Sequence, residues 1–551
     1  MKQLLCLLIF TSISLAKGWS QQIPQNWYLL DFTEDSYHGI SLKKAYQFLQ
    51  QKKIIAKTII VGVLDSGIDT LHEDLKNILW RNPKEIPNNK IDDDKNGYVD
   101  DIFGWNFLGN SKGENVSKAS SEKARIYYKY KEKFSSKELD TLKFTIEDKK
   151  QFEIWTKAKS ELNYSSDDEM ELSLIQATVK TIKRFDEILK NEMKVVEYTA
   201  LELEKFEPIS ALAKQSKYGY LTNLKLLEID ADEKNVNVIS QLDDYIEIKK
   251  GELESRNTEP INYRKNIIAD DEANIKDKFY GNGDVLGPTP IHGTHVSGII
   301  AAQRNNKLGI DGVADHAKIM MVRVIPEGDE YDKDVALGIF YAVDNGAKVI
   351  NMSFGKSYSP EKNWVDSALI YAEKNDVLII HASGNDAKNI DSLESYPTPT
   401  LLNKTKLSNF ITVAASSDYN IASYSLLANF SNYGINTVDV FAPGVKIYST
   451  LPSANHYGNQ QGTSMSAPIV TGLAAILRSY FPSLNAQQIK NIIINSVIKP
   501  TELSLNSVSL SNRSQPLFIK DACTSGGIVN AAKAVELAYE IDQDLKNKIK
   551  K

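Results

Sequence analysis

The sequence predicts an α/β protein whose core is a doubly wound, mostly parallel sheet with helices on both faces, interrupted by a helical insertion. Short segments rich in β-branched residues recur along the chain and are apolar at consecutive positions. Such segments are typical of strands buried on both faces, because half-exposed strands alternate polar and apolar residues. Helical patterns separate them, and this alternation indicates parallel βαβ units.

The predicted elements fall into two parts of one core, 57–110 and 281–545. In chain order, the predicted strands are 58–64, 318–324, 348–352, 377–381, 410–415 and 438–442. The helical patterns of the core are 334–345, 364–375, 469–477 and 485–497, with a last helix expected within 526–537. The pattern places each helix between or after strands, as a doubly wound sheet requires.

Residues 111–280 have a different composition and are predicted to be a mainly helical insertion. They are rich in Lys, Glu, Leu, Ile and Tyr, with few Gly or Pro. Segments 172–196 and 201–206 combine helical spacing with mixed charge. The alternative is a charged, disordered linker, but the many Leu, Ile, Phe and Tyr residues favour a folded insertion.

The N-terminal residues suggest export. Lys2, an apolar run at 4–16 and small residues after it are typical of a signal peptide, here 1–20. The alternatives are a buried N-terminal strand or an uncleaved anchor. We expect 21–56 to pack on the core and 546–551 to form a basic tail. An extracytoplasmic protein without an integral membrane span after signal cleavage is therefore predicted.

Composition and charge exclude several classes of protein. The chain has 551 residues, 42% hydrophobic and 25% charged, which is ordinary for a globular protein and excludes a collagen-like or wholly disordered chain. Its net charge of −6 gives no reason to expect nucleic-acid binding, which needs a basic surface. After signal cleavage Cys523 would be the remaining cysteine, so no internal disulfide is expected.

Three motifs far apart in the chain carry side chains suited to nucleophilic catalysis. Asp65 ends a predicted strand in VLDSGID, where α/β sheets place their active sites. His292 begins a helical segment in HGTHVSG, and His295, three residues on, is expected to face the core. Ser464 begins a helix in GTSMSAP, where free backbone N–H groups could stabilise a negative oxygen. Taken singly, each has a structural alternative: a turn cap, a structural histidine and an N-cap serine.

A fourth segment, Ser383-Gly384-Asn385, follows another predicted strand. A Gly-Asn pair is most often a turn. Beside the other three motifs, the Asn385 side-chain amide becomes a candidate donor to an oxyanion.

The motifs VLDSGID, HGTHVSG and GTSMSAP, in this order, resemble those of the subtilisin-type serine peptidases, the subtilase family. The resemblance covers about 57–109 and 281–537. It implies a subtilisin-like fold and an exported serine endopeptidase that acts through an acyl-enzyme and needs no cofactor for its chemistry. Polypeptides would be its substrates.

The resemblance also implies a role for each residue. Ser464 would be the nucleophile, His292 the general base and then acid, and Asp65 the group that orients the imidazole. Asn385 and the backbone N–H of Ser464 would form the oxyanion hole. Substrate binding would use two segments, Ser353, Phe354 and Gly355, and Ala382, Ser383 and Gly384. Because none of these six is charged, we expect an uncharged pocket with apolar or broad preference.

An acidic stretch predicts a structural calcium site. Asp92, Asp94 and Asn96 alternate as at the start of a calcium loop, and Asp100 is placed to complete it. The glutamate expected at the twelfth loop position is replaced by Phe103. A hydrated acidic turn without an ion is the alternative.

The chain departs from the family in the spacing of its motifs, because His292 lies 227 positions after Asp65. In the family the aspartate and the histidine are closer in sequence, and the insertion accounts for the additional residues here. Inserting residues into a surface loop costs little closure entropy, so the catalytic residues could still meet. The alternative function is a catalytically weak subtilase-like scaffold whose helical insertion binds a partner.

Overall fold

The structure is a computed structural model that describes residues 23–135, 141–162, 166–227, 229, 231, 233–421, 425–453, 455–500 and 517–550. The predicted signal peptide, 1–20, lies outside these residues.

A seven-stranded parallel sheet forms the centre of the molecule, in the order β2-β3-β1-β4-β5-β6-β7. Its strands are β1 (Ile59–Asp65), β2 (Gly104–Asn106), β3 (Ala317–Arg323), β4 (Ala347–Met352), β5 (Leu378–Ala382), β6 (Phe410–Ser416) and β7 (Val440–Pro443). An antiparallel hairpin, β8 (Ile447–Leu451) and β9 (His456–Gln460), follows. The predicted fold class is confirmed, and each of the six predicted strands overlaps a strand of the sheet.

Helices cover the sheet and build the insertion. They are α1 (Phe32–Asp35), α2 (Leu42–Gln51), α3 (Glu122–Phe134), α4 (Ile146–Leu162), α5 (Ser166–Met193), α6 (Ala200–Lys205), α7 (Ala211–Leu226), α8 (Asn235–Glu254), α9 (Tyr263–Ile267), α10 (Ile291–Ala301), α11 (Asp332–Asp344), α12 (Lys362–Lys374), α13 (Thr463–Tyr480), α14 (Ala486–Asn495) and α15 (Ala531–Lys550). None of the described helices is both long enough and apolar enough to span a membrane.

The core lies on both faces of the sheet, which is why its strands are apolar throughout. On one face, Val61 and Val63 of β1 pack with α10, α13 and α14. On the other face, Leu64 packs with α11 and α12. Both β5 and β6 are buried at every position. Burial removes apolar surface from water on both sides of each strand and fixes the strand ends along one edge of the sheet.

The segment before the sheet is part of this core. Trp27 and Tyr28 are at most 1% exposed and belong to the same apolar cluster as α13. The Trp27 indole N–H donates to the carbonyls of Val445 and Lys446, at 3.2 and 3.1 Å. Helix α2 packs on α15. These contacts join the N-terminal segment to elements more than 400 residues away in sequence.

The insertion between β2 and α10 contains two helical groups. Helices α5–α8 share their own apolar cluster, which includes Ile182, Leu189 and Tyr220. Helices α3 and α4 pack on each other instead. Ile126 of α3 and Ala158 of α4 also contact the core residue Tyr358, so this pair is fixed to the body of the protein.

Candidate active site

The candidate site lies at the carboxyl edge of the parallel sheet, where strand ends and helix starts meet. Asp65 is the last residue of β1, and His292 is the second residue of α10. Ser464 is the second residue of α13, and Asn385 follows β5 by three positions. The fold therefore gathers four side chains from segments that are up to 399 residues apart in the printed sequence.

Asp65 and His292 are in direct contact. The Nδ1 atom of His292 lies 2.8 Å from Oδ1 of Asp65, which also accepts the Ser66 backbone N–H at 2.7 Å. Gly293 makes this approach possible, because a Cβ there would lie 2.2 Å from the Gly67 carbonyl oxygen. Asp65 is 1% exposed, so its carboxylate is fixed by protein groups. The contact leaves Nε2 of the ring for a second partner.

The charge state of His292 depends on two opposing influences. Burial acts to lower its pKa, but the negative charge of Asp65 and the hydrogen bond to the ring outweigh burial and raise the pKa above its usual value. The side chain is still 36% exposed, so the ring faces solvent on one side. An imidazole in this position can take a proton and be stabilised as a cation.

The second histidine of the motif is a core residue. His295 is 0% exposed, and burial lowers its pKa to about 3. Its Nε2 atom lies 3.2 Å from the Gly458 carbonyl of β9. In its neutral form it joins α10 to the β8–β9 hairpin. It faces the core, as expected from the sequence.

Ser464 is half-buried at the N-terminal end of α13. Its hydroxyl donates to the Ser353 carbonyl at 2.9 Å, and the Ser353 hydroxyl donates to the Ser464 carbonyl at the same distance. Within the described chain the Ser464 hydroxyl makes this bond and not one to the His292 ring. The helix start supplies backbone N–H groups without intrahelical partners beside the hydroxyl.

The amide of Asn385 is oriented by the residue next to Ser464. Its Oδ1 accepts the backbone N–H of Thr463 at 2.9 Å and the Thr463 hydroxyl at 3.0 Å. The same hydroxyl accepts the Gly384 N–H at 3.1 Å. Because both bonds use Oδ1, the NH₂ group of Asn385 is left to donate elsewhere. Thr463 stands in GTSMSAP beside the proposed nucleophile, but nothing in the motif alone marks it as the residue that orients Asn385.

Asn432 is a second residue that the sequence analysis missed. Its side-chain NH₂ donates to the Ser383 carbonyl at 2.9 Å, and its Oδ1 accepts the backbone N–H groups of Asp386 and Lys388. It thus holds the loop that carries Asn385. No local motif marks it, because its partners lie about 46 residues earlier in the chain.

A cleft of about 510 Å³ adjoins these residues. It is lined by Ser464 and Asn385 and by four of the six predicted substrate-binding residues, which are Phe354, Gly355, Ala382 and Gly384. Ser353 and Ser383 are buried instead, at 2% and 1% exposure. The cleft is not uncharged, because Lys356, Glu330 and other charged residues line it. The expectation of an uncharged pocket is wrong, because it was based on two segments, whereas other loops and α4 also line the cleft.

The acidic stretch brings together a different set of carboxylates from the predicted one. Asp92 and Asp94 lie with Glu85, and one oxygen of each falls within 4.8 Å of the others. Glu85 was not anticipated, because it comes seven residues before Asp92. The Asp100 carboxylate accepts backbone N–H groups outside this group, and Asn96 Oδ1 accepts the Tyr98 N–H. Three hard oxygen donors in one place fit calcium.

Comparison with known proteins agrees with the geometry. The chain matches the subtilase family across residues 56–523. It is 38% identical over 211 residues to the thermophilic serine proteinase of Bacillus sp. (strain AK1), covering 38% of this chain and 46% of that protein. It is 30% identical over 335 residues to subtilisin-like protease 1 of Plasmodium vivax, covering 57% and 49%. It is 37% identical over 220 residues to subtilisin BL of Lederbergia lenta, covering 40% and 72%. The chain thus spans about half the length of the first two relatives.

Proposed function

The chain belongs to the subtilase family, and on that premise we propose that it is a serine endopeptidase that cleaves polypeptides through an acyl-enzyme. The observation that carries the proposal is that these groups share the carboxyl edge of the sheet: the His292–Asp65 pair, the Ser464 hydroxyl at a helix start, and the Asn385 amide bonded beside it. Nucleophile, base, orienting acid and oxyanion donor are the parts that acyl transfer needs.

In the first step the Ser464 hydroxyl turns about its Cα–Cβ bond, away from the Ser353 carbonyl and towards His292. His292 Nε2 takes the hydroxyl proton as Oγ attacks the carbonyl carbon of the substrate. Asp65 Oδ1, 2.8 Å from His292 Nδ1, accepts the Nδ1–H hydrogen bond. This bond fixes the tautomer in which Nε2 is unprotonated, and the carboxylate stabilises the imidazolium that forms.

The oxyanion that develops on the substrate carbonyl is stabilised by two donors. These are the NH₂ group of Asn385 and the backbone N–H of Ser464 at the start of α13. His292 then gives its proton to the leaving amine, and the C–N bond breaks to leave an ester on Ser464. Water attacks this ester in a second round of the same proton transfers, which releases the acid and restores the hydroxyl.

Two further proposals concern the whole protein. Residues 1–20 would direct export, so the enzyme would work outside the cytoplasm. Glu85, Asp92 and Asp94 would hold a structural calcium ion, whose role is to stabilise the loop after β1 rather than to take part in the chemistry.

Hydrolysis of casein and of a peptide library by the purified chain tests the proposal. We expect wild type to cleave both, and Ser464→Ala to lose activity by about 10⁵-fold or more because the nucleophile is gone. Ser367→Ala, at an exposed serine of α12, is the control and should keep activity. Cleavage that survives Ser464→Ala would exclude the proposed mechanism.

A further inference from the structure

The cleft contains more carboxylates than its lysines can neutralise. The Lys157 Nζ of α4 lies 2.8 Å from Glu394. The Lys356 Nζ lies 2.7 Å from Glu122 and 2.9 Å from Asp332. Both lysines therefore have carboxylate partners and do not offer a free positive charge to a substrate.

Four other carboxylates line the same cleft against a single further lysine among the described residues. They are Glu161, Asp329, Glu330 and Asp386, and the lysine is Lys388. A cleft with this excess of negative charge attracts cationic side chains and repels anionic ones. The charge alone does not say which carboxylate would bind them.

Glu330 is distinguished from the other three by its burial and by its missing partner. It is 3% exposed, and its Oε1 atom is buried with no hydrogen-bond partner in the part of the chain that the structure describes. A buried carboxylate oxygen without a partner is costly unless something fills the place of the partner. The oxygen itself has less than 1 Å² of exposed surface, so a donor from outside the chain reaches it when the Glu330 side chain turns towards the cleft that it lines.

Neighbouring groups hold the backbone of Glu330 but do not form a hydrogen bond with its Oε1 atom. The Lys356 ammonium donates to the Glu330 backbone carbonyl at 2.7 Å, and Arg125 donates to the same carbonyl at 3.0 Å. Burial raises the pKa of Glu330 to about 7, an effect that Lys356 opposes and that Asp329 and Asp332 reinforce. The side chain thus changes charge near neutral pH.

The insertion adds its own charge to this wall. Lys157 and Glu161 lie one turn apart on α4 and both line the cleft. Lys157 bonds across to Glu394, on the loop after β5, so Glu161 is left as the acidic contribution of the insertion. Ala158, between them on the helix, packs on Tyr358 and holds α4 in place.

We infer that the cleft receives a lysine or arginine side chain of the polypeptide substrate, with Glu330 as the acceptor and Glu161 of the insertion adding to the selectivity. The inference rests on the proposed peptidase function and names its substrate class. An ammonium or guanidinium supplies the donor that Oε1 of Glu330 lacks, and the pairing is between opposite charges away from bulk water.

Matched fluorogenic peptides test this inference. Each pair has lysine or the neutral isostere norleucine at one of the four positions before the scissile bond, and kcat/KM is measured per active site titrated with a fluorophosphonate. We expect lysine to be preferred by about tenfold or more at one position, and Glu330→Gln to remove that preference. Glu161→Gln should reduce it by about two- to threefold.

Glu327→Gln is the control variant, because Glu327 lies exposed in the same loop outside the cleft lining. It should keep the lysine preference of wild type. Active-site titration reports whether each variant is folded and competent, so a loss of selectivity is separated from a loss of protein.

A second measurement follows the lysine preference as a function of pH. The ratio of kcat/KM for the lysine peptide to that for the norleucine peptide should rise between about pH 6 and pH 8, as Glu330 ionises. Titration of His292 affects both peptides alike and cancels in the ratio. The charged groups that face Glu330 are Arg125, Glu122, Asp329, Asp332 and Lys356. Glu330→Gln should flatten the ratio, which assigns the pH dependence to Glu330 rather than to one of these neighbours.

The outcomes separate this inference from the proposed function. A wild type that is labelled and cleaves peptides without preferring lysine overturns the inference and leaves the peptidase standing. A preference that persists in both Glu330→Gln and Glu161→Gln, with a flat pH ratio, also overturns it. Absence of both labelling and cleavage defeats the peptidase proposal and the inference together.

Discussion

At His292 a carboxylate sets the acid–base chemistry of the candidate site. Burial lowers the pKa of the ring, and Asp65 raises it by more, through its charge and through a 2.8 Å hydrogen bond. A general base acts in its neutral form, so kcat/KM should rise with pH as His292 loses its proton. The raised pKa places this rise above the usual histidine range rather than below it.

Replacing Asp65 with Asn tests this balance. The change removes the charge that raises the His292 pKa, so the acid limb of the kcat/KM profile should move to lower pH. The rate on the plateau should fall by about 10⁴-fold, because the amide no longer fixes the productive tautomer. Profiles between pH 5 and pH 9 measure both effects, and an acid limb that moves upward would contradict the account.

Thr463 is predicted to act through Asn385 rather than on the substrate. Its hydroxyl bonds both Asn385 Oδ1 and the Gly384 N–H, so Thr463→Val should leave the Asn385 amide less well oriented. We expect kcat to fall by about tenfold with little change in KM, which is less than the roughly 10²–10³-fold loss that follows complete removal of an oxyanion-hole donor. Thr463→Ser keeps the hydroxyl and should restore kcat, whereas equal losses in both variants would exclude the role.

At the level of elements, the sheet was predictable and the hairpin was not. Strands buried on both faces leave an apolar run in the sequence, as in β5 and β6. The β9 strand, HYGNQ, is half-exposed and polar, and β2 is three residues long. Neither leaves a periodic signal that separates it from a loop.

The hairpin nevertheless fixes the helix that carries His292. The Ser449 hydroxyl donates to the His295 carbonyl and the Thr450 hydroxyl to the Thr294 carbonyl, both at 2.8 Å. Gly298 lies beneath them on α10, and a Cβ there would stand 2.2 Å from Thr450 Oγ1 and 2.4 Å from Ser449 Oγ. The close packing of α10 on β8 therefore depends on a glycine.

Gly298→Ala should destabilise the fold by about 1–3 kcal/mol, because two hydrogen-bonded hydroxyls must move. Gly251→Ala is the matched control: it also lies in a helix, α8, and nothing stands within 4 Å of its added Cβ. This second change should stabilise the protein by about 0.5–1 kcal/mol. Thermal unfolding of the two variants measures the contrast, and equal effects would contradict the packing described.

The acidic group near β2 gives a prediction about calcium. If Glu85, Asp92 and Asp94 hold the ion, chelation with EDTA lowers the Tm and added Ca²⁺ restores it. Calcium at 100 times its Kd contributes about 2.7 kcal/mol. Glu85→Gln should abolish the response, whereas Asp100→Asn, whose carboxylate lies outside the group of three, should keep it. A Tm unaffected by EDTA in wild type would argue against the site.

For the molecule as a whole, the sequence predicted what short motifs and apolar runs encode. Asp65, His292 and Ser464 each stand in a local pattern, and the strands carry their own signal. Glu330, Asn432 and Glu85 do not, because their importance comes from residues that the fold brings to them. The charge of the cleft was missed for the same reason.

The insertion is also more closely joined to the cleft than its sequence suggested. Glu122 and Arg125, in the first turn of α3, bond the loop after β3 and Lys356. Helix α4 adds Lys157 and Glu161 to the wall. The insertion thus contributes to the wall of the cleft in which a substrate would lie.

Labelling with a fluorophosphonate, followed by mass-spectrometric mapping of the modified peptide, tests the central claim most directly. Wild type should carry one adduct, on Ser464, and Asp65→Asn should be labelled far more slowly because His292 is no longer held in its productive tautomer. An adduct on another residue, or labelling of Ser464 at an unchanged rate in Asp65→Asn, would contradict the account.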